Sequence, residues 1–246
     1  MSERLLEGRT ALVTGSAGGI GAAIAVRFRS EGAVVAGLDL APSPGADLSL
    51  TADLRSDDAL GEAYATMVAA VGAPDLLVHA AAMSVVGGVL DTDPADFARL
   101  YDVNLIGAVR LLQRCVPAMR AKGRGSVVLL SSINAAFATP TLAAYAATKA
   151  ALDNLTKTAA LELAPDGIRV NAIAPASIDT PLLRASYEAS GDIKAALAAN
   201  AKRHPLERLG APAEVAELAL FLASDRADWI TGGIYPIDGG AHVTRR

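Results

Sequence analysis

The sequence predicts an α/β domain built on a parallel sheet, and three observations carry that expectation. Short apolar, β-branched runs recur along the chain, alternating with stretches whose apolar residues fall at helical spacing. A glycine-rich loop lies between the first such run and the first helical stretch, as at the start of a βαβ unit. At 246 residues the chain can bury a large core, and no repeat, low-complexity linker or compositional boundary divides it. One domain over residues 1–246 is therefore expected.

The elements follow in order. Arg9-Thr10-Ala11-Leu12-Val13-Thr14 is the first strand, and Ala22 to Ser30 reads as a helix after the loop Gly15-Ser16-Ala17-Gly18-Gly19-Ile20-Gly21. Ala33 to Leu38 is a second strand ending in Asp39, and Asp47 to Thr51 is a weak edge strand followed by Asp53-Leu54. Ser56 to Val71 forms an amphipathic helix, capped by Ser56 with Asp57 and Asp58 in its first turn. Asp75 to His79 is a buried strand running into Ala80-Ala81-Ala82, and Pro94 to Met119 reads as one long helical region containing Asn104. Gly125 to Ser132 is the next strand, and the helix bearing Tyr145 and Lys149 meets no proline until Pro165. Asp166 to Pro175 gives a turn and a sixth strand, Ala213 to Ala223 a helix, and Gly233 to Ile237 a final strand. Between them Gly191, Pro205 and Gly210 interrupt the segment 182–210, which beyond a strand's carboxyl end suits a substrate lid.

Composition excludes several classes of function. Hydrophobic residues make up 52% and mean hydropathy is +0.35, yet no apolar run approaches the ~20 residues of a membrane span. Net charge −4, pI ≈ 5.4 and 4% aromatics argue against a nucleic-acid or anionic-membrane partner. No apolar secretory core follows Met1-Ser2-Glu3-Arg4, and the single Cys115, read as helix packing, cannot form an intramolecular disulfide. Both fit a cytoplasmic protein. No His/Cys/Asp cluster has metal-ligand spacing.

The glycine loop is the first functional candidate. Glycines permit a tight turn and close backbone approach, and the helix behind it offers unpaired N–H groups to a phosphate. A glycine cluster alone marks only a turn; its place between strand and helix supports the phosphate reading. Asp39, about 20 positions on, can accept hydrogen bonds from an adenosine ribose and would repel a 2′-phosphate. Ser16, Ala17 and Gly18 supply no basic residue to offset that, so NAD is favoured over NADP.

The second candidate is catalytic. Tyr145 and Lys149 stand four apart, on one face of a helix. A tyrosine hydroxyl has an unperturbed pKa near ~10, too high for a base at neutral pH. A lysine cation ~5 Å away, at an effective dielectric of ~20, favours the phenolate by roughly 3 kcal/mol, about two pKa units. Such a tyrosine becomes an acid/base for a hydroxyl–carbonyl pair. Ser132, ending a buried strand, sits where ligands bind in parallel sheets. Asn104, inside an apolar helix, needs partners for its amide: it either holds a water or backbone near Lys149 or braces the helix. His79 is either a proton-transfer group or a local hydrogen-bonding one, and Lys202-Arg203-His204 either an anion-recognising cluster or a solvated face.

Taken together, these residues resemble the short-chain dehydrogenase/reductase family over nearly the whole chain. Its cofactor motif TGxxxGxG appears as Thr14 to Gly21, its active-site Asn as Asn104, its Ser as Ser132 and its YxxxK pair as Tyr145 and Lys149. Arg169 to Pro175, leading to Ile178-Asp179-Thr180-Pro181, is similar to the family's segment beside the nicotinamide. Two places depart: the usual Asn-Asn-Ala-Gly is His79-Ala80-Ala81-Ala82, and the usual Pro-Gly is Pro175-Ala176.

The resemblance implies a three-layer Rossmann fold, a doubly wound seven-stranded parallel sheet with helices on both faces. It implies Tyr145 as general acid/base, Ser132 as partner of the substrate oxygen, and Lys149 lowering the tyrosine pKa while holding the nicotinamide ribose. Asn104 would anchor a water relaying protons from Lys149. The dinucleotide would be held by Gly15, Ser16, Gly18, Gly19, Ile20 and Gly21, with Ala81 against it. Asp39 would take the ribose, Asp53 and Leu54 the adenine, and Ile178 and Thr180 the carboxamide and phosphate region. A homotetramer is implied, compatible with the alanines Ala146, Ala150, Ala159 and Ala160 on outer helix faces, which equally suit ordinary core. The expected activity is NAD-dependent interconversion of a secondary alcohol and a ketone (the CH–OH group) on a sugar, polyol or hydroxy acid. A 3-oxoacyl-thioester reductase and a non-catalytic nucleotide sensor or scaffold are the competing readings.

Overall fold

The computed structural model describes residues 4–188 and 191–244. Seven strands are present among them: β1 (Thr10–Thr14), β2 (Val34–Asp39), β3 (Leu48–Thr51), β4 (Leu76–His79), β5 (Gly125–Leu130), β6 (Ile168–Pro175) and β7 (Ile234–Ile237). They form one parallel sheet in the order β3-β2-β1-β4-β5-β6-β7. The helices that matter for the site are α1 (Gly19–Ser30), α2 (Asp57–Val71), α3 (Pro94–Tyr101), α4 (Gly107–Lys122), α5 (Ala143–Leu163), α6 (Pro181–Ala185), α7 (Ile193–Ala201) and α8 (Pro212–Ala223).

Successive side chains of a strand point to opposite faces, and here both faces are covered. Leu12, Leu77, Val127 and Leu129 pack with Leu60 and Met67 of α2, Leu111 and Cys115 of α4 and Leu152 of α5. Ala11, Val13, Leu76, Val78 and Val128 pack on the other side, with Ile24 and Phe28 of α1 and Val215 and Leu220 of α8. Double coverage is why these strands read as unbroken apolar runs. Cys115 is buried packing, as expected, and burial pushes its thiol up to about 12. Of the four α5 alanines set on outer faces, Ala159 and Ala160 are core while Ala150 is exposed.

Ser56 caps α2 by accepting from the Ala59 N–H. Two stretches differ from the sequence reading. Helix α1 begins at Gly19 rather than Ala22, so the glycine loop itself supplies the first turn. The region read as one helix from Pro94 to Met119 runs on to Lys122 and is interrupted by a π-helical turn at Asp102–Ile106, which carries Asn104. Such turns insert one extra residue into a helix and gather at functional sites. The segment 182–210 holds interrupted helical pieces, as its sequence suggests: most of α6 and all of α7.

Winding from β1 goes outward to β2 and β3 and then returns to β4, so the strand order reverses between β1 and β4. In open α/β sheets the ligand crevice lies outside the carboxyl ends at this reversal. Thr14 and His79, the last residues of the two strands, are directly paired there. No helix among the described residues is long and apolar enough to cross a membrane.

Candidate active site

The glycine loop is shaped by contacts that only hydrogen permits. Gly15 has φ +68°, and a Cβ on it would lie 2.7 Å from the Ala81 nitrogen. A Cβ on Gly21 would lie 2.1 Å from the Gly15 carbonyl oxygen. Gly18 is different: it is extended at φ −163°, and a Cβ there would meet open space with no heavy atom within 4 Å. It is also the N-cap of α1 and supplies no side-chain cap, so the helix starts with unpaired N–H groups beside that open space. Gly19 abuts the Thr180 methyl at 3.3 Å from such a Cβ, and Ile20 packs into the α1–α8 layer. Ser16 turns its buried hydroxyl inward to Ser43 at 2.7 Å.

Asp39 closes the loop from the end of β2. Its Oδ2 accepts from the Ala17 N–H at 3.0 Å and its Oδ1 from the Leu40 N–H at 2.7 Å. An open cradle at Gly18, small Ala81 against Gly15 and a fixed carboxylate at Asp39 fit a dinucleotide's phosphates and ribose. Asp53 and Leu54 lie beyond the edge strand β3. The Asp53 carboxylate is gripped by Arg55, whose guanidinium holds its pKa below the ordinary value. Leu54 buries its side chain, and its carbonyl accepts from Arg110 at 3.0 Å. Ile178 is buried, and Thr180 caps α6 through the Leu183 N–H.

The catalytic candidates converge at the end of β5 and the start of α5. Lys149 is buried, its Nζ donates to the Leu130 carbonyl at 2.6 Å, and it lies 5.5 Å from the centre of the Tyr145 ring. Ser132, two residues beyond β5, caps a short 3₁₀ turn (Ile133–Ala135), with Oγ accepting from the Asn134 N–H at 3.2 Å. Burial pushes the Lys149 ammonium down to about 8, opposed by the charge of Asp153 one turn on. Burial also raises the Tyr145 phenol above its ordinary value, and hydrogen bonding from Ser132 works against that rise. The net shift is therefore upward, opposite in direction to the lowered phenol pKa that was expected. Tyr145 is half-buried, and the loss of water around its phenol outweighs the hydrogen bond from Ser132.

Asn104 is fully buried, and its amide is held by backbone and side chain outside its own helix. Its Oδ1 accepts from the Met83 N–H at 2.7 Å, and its Nδ2 donates to the Met83 carbonyl and to Thr148 Oγ1, both at 3.0 Å. His79 is fully buried too, and makes local hydrogen bonds to Thr14 Oγ1 at 3.1 Å and the Asn104 carbonyl at 3.3 Å. Burial drives its pKa down to about 3, with the Lys149 charge adding to the effect. Lys202 and Arg203 are exposed, a solvated pair, but His204 is buried with Nδ1 donating to the Asn200 carbonyl at 3.0 Å. Sequence reasoning gave no role to Thr148 or Ser43, and placed Thr14 only as the first residue of the glycine motif. Thr148 could have been found, as a β-branched polar residue among alanines one turn from Tyr145. No group of His, Cys, Asp or Glu among the described residues could hold a metal ion.

Residues 15–242 match the family model described as Enoyl-(Acyl carrier protein) reductase. Oxidoreductase UcpA of Escherichia coli O157:H7 is 38% identical over 250 residues, covering 96% of this chain and 95% of the relative. The 3-oxoacyl-[acyl-carrier-protein] reductase FabG of Thermotoga maritima is 36% identical over 247 residues, covering 96% and 98%. Among solved structures, ligand-free aldohexose dehydrogenase of Thermoplasma acidophilum superposes with TM-score 0.93 at 33% identity, covering 99% of this chain and 97% of that one. L-Sorbose reductase of Gluconobacter frateurii, complexed with NADPH and L-sorbose, gives TM-score 0.91 at 30% identity, covering 99% and 100%. With this sheet, the glycine loop and the Ser132–Tyr145–Lys149 cluster, the chain belongs to the short-chain dehydrogenase/reductase family of oxidoreductases, which act on CH–OH groups with a nicotinamide dinucleotide.

Proposed function

We propose that this protein is an NAD-dependent dehydrogenase that interconverts a secondary alcohol and a ketone on a sugar, polyol or hydroxy acid. The observation that carries the reading is the cluster at the end of β5: Tyr145, with Ser132 beside its hydroxyl and buried Lys149 5.5 Å from its ring. In the oxidative direction the Tyr145 phenolate takes the alcohol proton, and the Ser132 hydroxyl donates to the substrate oxygen. Bound nicotinamide dinucleotide supplies the hydride acceptor. Lys149 holds positive charge in the cleft below about pH 8, which steadies the phenolate once it forms. In the reverse direction the protonated phenol, favoured by burial, gives its proton to the carbonyl oxygen.

Asp39 supports NAD, because its carboxylate is pinned by three backbone N–H groups where a 2′-phosphate would meet it. The sugar reading draws on the likeness to an aldohexose dehydrogenase and an L-sorbose reductase. Initial rates on aldohexoses, polyols and hydroxy acids, each with NAD and with NADP, test it. Expected is turnover with a kcat/KM for NAD at least about tenfold above NADP, some 1.4 kcal/mol. A preference for NADP would overturn the cofactor assignment. The likeness to a 3-oxoacyl-thioester reductase keeps a second reading open. Reduction of acetoacetyl thioester with NADPH, in the absence of sugar oxidation, would replace the first reading by the second. The non-catalytic scaffold fails if Tyr145→Phe abolishes a turnover that the native chain has.

The segment 182–210 is proposed as the substrate lid. A chain of hydrogen bonds fixes it to the end of β6: Ser177 Oγ to Asn200 Oδ1 at 3.0 Å, and Asn200 Nδ2 to Tyr187 Oη at 2.9 Å. Protease protection of this segment on adding NAD and substrate is the expected sign. A homotetramer is proposed on the family resemblance, and light scattering giving four chain masses checks it.

A further inference from the structure

The departure at His79 leaves an imidazole where it joins the two halves of the site. Hydrogen-bond partners fix its form. A carbonyl can only accept, so Nε2 carries the proton toward Asn104, and Nδ1 accepts from the Thr14 hydroxyl. Thr14 Oγ1 in turn accepts from the Ala81 N–H at 3.2 Å, tying the turn that touches Gly15. Beyond Asn104 the path continues: Nδ2 donates to Thr148 Oγ1 at 3.0 Å, and Thr148 donates to the Tyr145 carbonyl at 2.7 Å. Thr14, His79, Asn104 and Thr148 are all at 0% exposure, so water cannot substitute for a missing link. This row starts at the first residue of the glycine motif and ends on the backbone of the tyrosine.

We infer that His79 is a positioning residue: as a two-ended hydrogen-bonding strut it fixes the π turn of Asn104, and through Thr148 the placement of Tyr145, relative to the dinucleotide loop. The ring never meets substrate. Its action is geometric, and a displacement near 1 Å at a reacting group lowers turnover about 10²-fold. The kinetic arm of the test rests on the dehydrogenase reading, and a second arm does not.

His79→Leu removes both ends of the strut, whereas His79→Asn keeps an acceptor and a donor side by side. With NAD and the alcohol that the native chain oxidises fastest, His79→Leu should lose about 10- to 100-fold in kcat while KM for both substrates moves less than about threefold. His79→Asn should return kcat to within about threefold of native. The second arm follows the Tyr145 phenol in the free protein by NMR of ¹³C-labelled tyrosine, assigned by Tyr145→Phe. Its titration should move by at least ~0.5 pH unit in His79→Leu and return in His79→Asn. Thr148→Val, which cuts the row at its far end, should give the same two signatures and serves if His79→Leu does not fold. Native kcat in His79→Leu, a loss confined to KM, or no recovery in His79→Asn overturns the inference. If the native chain turns over no alcohol, the dehydrogenase reading falls, and the tyrosine titration alone decides: an unmoved midpoint overturns the strut.

Discussion

Tyr145 holds its proton more tightly than a free phenol, because burial outweighs the hydrogen bond from Ser132. Oxidation, which needs the phenolate, should therefore accelerate as pH rises above neutral, and ketone reduction should decline over the same range. Rate–pH profiles in both directions check this, and an oxidation rate that falls above pH 7 would contradict it. Tyr145→Phe should lower kcat about 10²- to 10⁴-fold with NAD affinity, read by fluorescence titration, nearly unchanged. His79 makes a second prediction. Its folded pKa of about 3 lies below the ~6.5 of the unfolded chain, so between these values the unfolded state binds the extra proton. Stability is then lost as pH falls through that window, by about 1.4 kcal/mol per unit from this residue. The groups facing the ring are Thr14, the Asn104 carbonyl and the Lys149 charge, and none of them is an acid that would titrate with it. Denaturant unfolding at pH 7 and pH 5 should show a smaller loss for His79→Asn than for the native chain. Among single residues, Ser132, Tyr145 and Lys149 were legible because their spacing has a chemical meaning. The sign of the tyrosine shift was not, since desolvation depends on what packs round the hydroxyl and no spacing reports that.

At the scale of elements, the glycine loop divides its residues by what surrounds them. Gly21→Ala would drive a methyl against the Gly15 carbonyl, so loss of folded protein is expected. Gly18→Ala meets open space in an extended backbone, so the melting temperature should hold while NAD binding weakens at least about tenfold, measured by calorimetry. Unchanged NAD affinity in Gly18→Ala would place the phosphates elsewhere. The loop and its flanking strand and helix were readable from sequence, because glycine spacing and apolar runs are local signals. The π turn was not, for one inserted residue leaves the apolar positions of Pro94 to Met119 close to helical period.

Across the whole molecule, the sheet is covered on both faces, and that explains which parts of the fold could be foreseen. The inner strands were visible as runs of apolar residues, since burial on two sides demands it, whereas the edge strand β3, with Ser49 and Thr51 exposed, showed only weakly. Leu77 lies fully buried in the central strand β4, and Leu77→Ala should cost about 2–5 kcal/mol in denaturant unfolding, with m unchanged. The polar links of the cleft stayed hidden, because their partners stand 65, 25 and 44 residues apart in sequence. The row from Thr14 to Tyr145 also has a direction. Each hydrogen points away from the first strand and toward the fifth helix, like arrows laid end to end. Reversing any one arrow would set two donors or two acceptors face to face in a dry interior. Anyone re-engineering this cleft must therefore exchange neighbouring members of the row together, keeping one common sense from end to end.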